Sequence, residues 1–186
     1  MEDKIIIDAD LCIKLGGSAK HRFLYDVLPL ISNEIFMHSH AHGEVMMPSS
    51  AVTQLRDLIS EGKVVLVNES GLDNQERAVY DAAFHNLVKV MINLKNPNKN
   101  RGEVYSLAYA KATGISVFAT DENKLQPIID TQLNTGINGI SCIRIVHIVI
   151  KAKNGEIAIP RKVAKALWIV AQKSKESFDN EIWPAE

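Results

Sequence analysis

Four carboxylates stand where an α/β chain does its chemistry. Asp8 closes the apolar run "KIIIDA", Asp121 follows the strand-like "ISVFAT", Glu44 lies just beyond "EIFMHS", and Glu103 opens the helix-like "EVYSLAYAKATG". In an open parallel sheet, ligands bind outside the carboxyl ends of the strands. Asp8 and Asp121 belong to that edge, and Glu44 and Glu103 reach it from separate segments. Like charges about 4 Å apart repel by roughly 4 kcal/mol at an effective dielectric near 20, so converging acids must keep protons or share a cation. A hard divalent ion removes the conflict, because Mg2+ takes oxygen ligands, typically one or two carboxylates completed by waters and a substrate phosphate. The chemistry implied is displacement at phosphorus, in which Mg2+ or Mn2+ orients a water, lowers its pKa and stabilises the leaving oxygen.

A second candidate lies in "FMHSHAHGE" (36–44), where His38, His40, His42 and Glu44 fall at every second position. In an extended strand these side chains share one side, and zinc prefers imidazole ligands. Same-face neighbours in one strand are about 6.6 Å apart, so a single edge does not easily wrap three imidazoles around one ion, and no cysteine is near. The tract reads mainly as a carrier for Glu44, with His40 beside the acids as a supporting group or phosphate contact.

The elements that must position these residues follow from periodicity. "KIIIDA" (4–9) is a strand buried on both faces, and a helix begins near Asp10, interrupted by "GGS" (16–18). A helix over 21–32 carries Phe23 and Val27 on one side, bent near its end by Pro29. "EIFMHS" is the second strand, 48–62 a helix with Pro48 first, and 63–68 a third strand. The segment 72–93 repeats Tyr80, Phe84, Leu87, Val88 and Met91 at helical spacing, with Asp73 and Glu76 suited to its first turn. The loop 94–102 leads to a helix over 103–114, stopped by Gly114, and then to a fourth strand over 115–120. Beyond Asp130 the chain is turn-rich ("TQLNTGINGIS"), with a last strand over 142–146 and a helix starting at Pro160. The tail "ESFDNEIWPAE" is amphipathic, suited to packing back or meeting another chain. Strands alternating with helices indicate βαβ units around a parallel sheet.

The bulk numbers agree. At 186 residues, 46% hydrophobic and 23% charged, the chain suits one compact domain with an ordinary core. The formal net charge is −1, which gives no basic footprint of a tight nucleic-acid binder yet leaves room for a nuclease with a local basic rim. Cys12 and Cys142, each in an apolar stretch, read as buried thiols in a reducing compartment. The opening "MEDKIIIDAD" is acidic and enters a strand, so no signal peptide is expected. No apolar run approaches the about 18 residues that span a bilayer. A cytoplasmic protein without membrane contact is the expectation.

The blocks "IIIDADLCIKL", "HGEV" and "RGEVYSLAYAKATGISVFATDENKL" resemble a PIN-domain nuclease across residues 4 to 125. That family shows a hydrophobic strand ending in Asp, a Glu after the second strand, a Gly-Glu or Gly-Asp opening a helix, and Thr-Asp after the next strand. The third block carries most of the likeness. The resemblance implies a PIN-like three-layer α/β/α fold with a central, mostly parallel sheet of four to five strands. It implies a metal-dependent ribonuclease, less often a deoxyribonuclease, of the kind found as toxins of toxin–antitoxin pairs. Asp8, Glu44, Glu103 and Asp121 would then be the catalytic and metal-binding quartet, supported by Thr120. Asp10 stands where the family often has Asn, and Glu122 where a second Asp is common, so both enter as supporting acids. Residues 1–146 would form the nuclease domain and 147–186 a C-terminal helical extension packed on it. An antitoxin and a second copy of the chain are the protein partners this suggests.

Lys14, Lys99, Arg101 and Lys124, with His21 and Arg22, fall in segments near the proposed edge and are expected to form a positive rim for a nucleic-acid backbone. The "NPNKNR" loop precedes Glu103 and is the foremost substrate contact. Plainer roles compete for each acid: Asp8 and Asp121 also suit helix N-caps, and Asn100 with Glu103 resembles a capping arrangement. Two other functions remain in play. "IIIDADLC" also resembles the Asp-x-Asp of haloacid-dehalogenase-like phosphatases, with Asp8 as nucleophile and Asp10 as general acid, but that reading leaves Glu44 and Glu103 without a task. A catalytically silent module binding RNA or protein is the other.

Overall fold

The computed structural model describes residues 2–18, 20–136 and 138–185. Met1 of the opening segment, Ile137 of the turn-rich stretch and Glu186 of the tail lie outside the described residues.

A five-stranded, all-parallel sheet runs in the order β3-β2-β1-β4-β5. Its strands are β1 (Glu2–Ile7), β2 (Ser32–His38), β3 (Val65–Val67), β4 (Val117–Ala119) and β5 (Ser141–Ile143). β1 is central, with Ile5 beside both Ile35 and Val117. The two inner apolar faces follow from the two-residue period of a strand. Ile5 and Ile7 join one core cluster, together with Ile35, Met37, Val117, Ala119 and Ile143. Ile6 and Phe118 join the other. Helices cover both faces, so the molecule is a three-layer α/β/α sandwich, as expected from strands buried on both sides.

The first face is covered by α1 (Ala9–Gly16), α2 (Phe23–Val27), α4 (Ser49–Ser60), α8 (Ile145–Lys153) and α9 (Arg161–Val170); α3 (Ser39–Glu44) lies between β2 and α4. The second is covered by α5 (Asn74–Met91), α6 (Arg101–Thr113) and α7 (Leu125–Gln132). α5 begins with the capping box suggested by its sequence: Asp73 accepts from Gln75 and Glu76 amides, and Glu76 accepts from the Asp73 amide. The tail folds back through α10 (Lys175–Ser177) and a wide turn over Phe178–Ile182, with Phe178 fully buried in the first cluster.

Two expectations need correction. The helix expected over 21–32 is only α2 followed by a 3-10 turn over Leu28–Leu30, because Pro29 cannot supply the amide an α-helix needs. The strand expected over 142–146 ends at Ile143, and the same apolar run continues as α8. Ile145, Ile148, Val149 and Ala152 are its buried residues, a helical spacing that begins inside the expected strand, so the boundary at 146 falls within a helix. Periodicity assigns no element to 125–130, where α7 forms and buries Leu125 and Ile129. In keeping with a second strand that stops short of the third histidine, β2 ends at His38 and the following residues are helical. At 3.6 residues per turn, His40 and His42 then point about 200° apart, and the common histidine face does not form.

Candidate functional site

The strand order reverses direction between β1 and β4, the place where open α/β sheets bind ligands. Asp8 follows β1 there, and Thr120 follows β4. Asp8 caps α1: Oδ1 accepts from the Ala9 amide at 2.8 Å. Its Oδ2 accepts from the Thr120 hydroxyl at 3.1 Å. Thr120 Oγ1 in turn accepts from the Glu122 amide at 3.2 Å, which commits its single proton to Asp8. A carboxylate 1% exposed is poorly hydrated. Burial, and next the nearby charge of Glu103, push the Asp8 pKa up to about 8, against the opposing pull of its two hydrogen bonds.

Glu103 lies in the first turn of α6. Its carboxyl is also raised, first by burial and then by Glu44, Asp10 and Glu122, with its own backbone amide pulling the other way. Its Oε2 is buried without a hydrogen-bond partner. Glu44 ends α3 and is fastened to the same turn: its Oε1 accepts from the Gly102 amide at 2.8 Å. A Cβ at residue 102 would stand 2.8 Å from Glu44 Oε2, so glycine is what allows the carboxylate this close. Asp8, Asp10, Glu44, Glu103 and Glu122 thus act on one another's charge from four segments of chain.

Asp121 has a different set of partners. Its Oδ2 is 3.0 Å from Lys14 Nζ and its Oδ1 accepts from the Ile145 amide at 3.3 Å, which ties β4 to the start of α8. Lys14 also reaches Asp10 at 2.9 Å, one turn back on α1. It is therefore an internal counter-ion rather than a free rim cation. Glu122, the next residue after Asp121, shares a cleft of about 330 Å³ with Glu103, Lys99, Asn100 and Lys124. The two lysines of that cleft make no ion pair among the described residues. No family model, curated protein or solved structure matches the chain.

The remaining candidates lie elsewhere. Arg101 approaches the ring of Tyr105 at 5.8 Å and lines a second cleft, on the side of α6 facing Phe84. Arg22 pairs with Asp57 at 2.9 Å and stacks on Tyr25, and His21 stacks on Phe23. His40 stacks on Tyr105 with ring centroids 3.7 Å apart. His38 is fully buried: its Nδ1 accepts from the His40 amide at 3.2 Å, and its Nε2 lies 3.3 Å from Glu69 without hydrogen-bond alignment. Burial, partly opposed by Glu69, pushes its imidazole down to about 4.

Among the described residues, no group of three or more His, Cys, Asp or Glu side chains has metal-holding geometry. Mg2+ commonly uses only one or two protein carboxylates, and the residues fit that smaller requirement. Asp8 is raised by burial and then by Glu103, Glu103 by burial and then by Glu44, Asp10 and Glu122, and Glu103 Oε2 is an orphaned acceptor. The sequence marks Gly102 only as part of the Gly-Glu pair; its role, leaving room for the Glu44 carboxylate, comes from the fold. Among the described residues, no helix is long and apolar enough to cross a membrane.

Proposed function

We propose that the chain is a divalent-metal-dependent nuclease, acting on RNA in preference to DNA, with Asp8 and Glu103 as the carboxylates that hold Mg2+ or Mn2+. The observation that carries this reading is the buried Asp8 carboxyl under the charge of a half-buried Glu103, whose unpartnered oxygen belongs to a residue lining a cleft that also presents Lys99 and Lys124. Two acids raised by burial and by neighbouring carboxylates favour exchange of their protons for a cation. When bound, the cation supplies Lewis acidity toward a phosphate oxygen and lowers the pKa of an attacking water.

The protein's own groups do the rest. Thr120 and the Ala9 amide fix both oxygens of Asp8, so its carboxylate is oriented before substrate arrives. The Gly102 amide holds Glu44 beside Glu103, where it can accept a proton from water. Lys99 and Lys124 offer ammonium groups to the phosphate on either side of the cut bond. Lys14 neutralises Asp10 and Asp121 together and limits the acidity of the rim. Against the phosphatase reading, Asp10, its general acid, is ion-paired to Lys14, and Glu44 and Glu103 are left without a task.

The test is cleavage of a labelled single-stranded RNA by the purified chain in Mn2+, beside the Asp8→Asn and Glu103→Gln variants. Each substitution should abolish cleavage while thermal unfolding stays cooperative. Cleavage that persists unchanged in both variants overturns the site, and a phosphoaspartyl adduct at Asp8 would transfer the reading to the phosphatase.

A further inference from the structure

The cleft on the other side of α6 has no task in the chemistry above. It measures about 310 Å³ and is walled by Phe84, Val88, Ile92, Pro97 and Tyr105, with Arg101 at its edge. Arg101 and Tyr105 stand one turn apart on α6. Their side chains meet, with Arg101 Nη2 3.4 Å from the Tyr105 hydroxyl. Arg101 makes no ion pair among the described residues, so its guanidinium keeps donors free. Tyr105 is held rigidly, stacked by His40 at 3.7 Å and met edge-on by Phe84 at 4.8 Å.

We infer that this cleft is a binding site for one unpaired nucleobase of the strand whose phosphate occupies the Glu103 cleft, an inference that rests on the nuclease reading. Three features favour a base over an apolar peptide side chain. A fixed aromatic ring beside apolar walls offers a stacking surface, which accepts any base because every base has a π-face. A planar cation with unspent donors at the mouth matches base carbonyls and a neighbouring phosphate. The first turn of α6 separates the two clefts, with Arg101 lining one and Glu103 the other, and Lys99 borders the acid side. A strand crossing that turn places a phosphate on one side and its base on the other. Bases locked in a duplex cannot be splayed across it, so the site selects single strands.

The experiment measures binding of the full-length chain in EDTA by fluorescence anisotropy, so that no cleavage occurs. The probes are a dye-labelled single-stranded oligoribonucleotide and the same backbone with every base removed. The parent should bind the base-bearing strand roughly tenfold more tightly than the abasic one. Val88→Trp, which fills the cleft, and Arg101→Gln, which leaves its walls intact, should each erase most of that preference while thermal unfolding remains cooperative. Equal affinity of the parent for the two strands overturns the site, as does a preference that survives both substitutions. Failure here leaves cleavage dependent on Asp8 untouched, and failure of the Asp8 test leaves base-dependent binding untouched, so the two outcomes are separable.

Discussion

The carboxylate of Glu44 rests on the backbone amide of Gly102, 2.8 Å away, in space that a side chain at residue 102 would fill. Gly102→Ala therefore evicts one end of a flexible acid rather than backbone. Alanine favours a helix by about 1 kcal/mol over glycine, which offsets the lost hydrogen bond, so stability should change by about 1 kcal/mol or less. Misplacing a group beside the reaction is far costlier to rate, and Mn2+-dependent cleavage should fall roughly ten- to hundredfold. Denaturant unfolding beside a cleavage assay checks both halves; an unchanged rate would remove Glu44 from the chemistry.

Asp8 ties stability to pH. Its native pKa of about 8 lies above the ordinary 3.8, so the folded chain keeps a proton that the unfolded chain releases. That contribution is whole below about pH 4 and is lost as pH rises toward 8. Without metal, the unfolding midpoint should fall across this window, and Asp8→Asn should flatten the fall. In the proposed function a divalent ion replaces the proton, so Mn2+ should raise the midpoint more at pH 8 than at pH 6. Thermal scans in EDTA and in Mn2+ decide it, and a Mn2+ shift independent of pH would contradict the proton exchange.

His38 works with the opposite sign. Its native pKa of about 4 lies below the ordinary 6.5, so the unfolded chain takes up a proton that the buried ring refuses. Stability from this residue is present above about pH 6.5 and is lost as pH falls toward 4. In His38→Gln the acid-side loss between those limits should shrink. Urea midpoints measured from pH 4 to 7 would show it.

Gly16 closes α1 against α4. A Cβ there would stand 2.5 Å from the Cα of Ala51, a backbone atom that cannot swing aside, and the Gly16 carbonyl already accepts from Ser50 and Gln54. Gly16→Ala should destabilise by about 1–3 kcal/mol, lowering the melting midpoint by roughly 2–4 °C per kcal/mol. An unchanged midpoint would mean that the two helices slide apart freely.

Local signals account for what the sequence revealed. The apolar run before Asp8 reads as a two-faced strand because three isoleucines in succession suit only such a place. Asp73 and Glu76 announce the start of α5 through their fixed spacing. The failures share a cause, which is that distant partners decide them. Of Asp121 and Glu122, neighbours of like charge, Asp121 turns to Lys14 because that lysine, 107 residues away in sequence, stands beside it. The apolar run after Ser141 serves both strand and helix, and the Asp121 carboxylate at the Ile145 amide, with His147 accepting from the Arg144 amide, marks the junction. The histidine tract alternates as a strand would, but β3 pairs with β2 no further than His38, and beyond that point nothing holds the chain extended.

Phe178, fully buried, sits in the same cluster as Ile5 and Ile7, the strand that delivers Asp8. The face beneath the first strand is therefore sealed by a residue that follows every acid of the site in the chain. A nascent chain that has emerged only through α9 carries every acid of the site on an unfinished scaffold. Protease resistance of the first strand should consequently appear only once Phe178 has emerged, a step that pulse-chase proteolysis of stalled chains would expose.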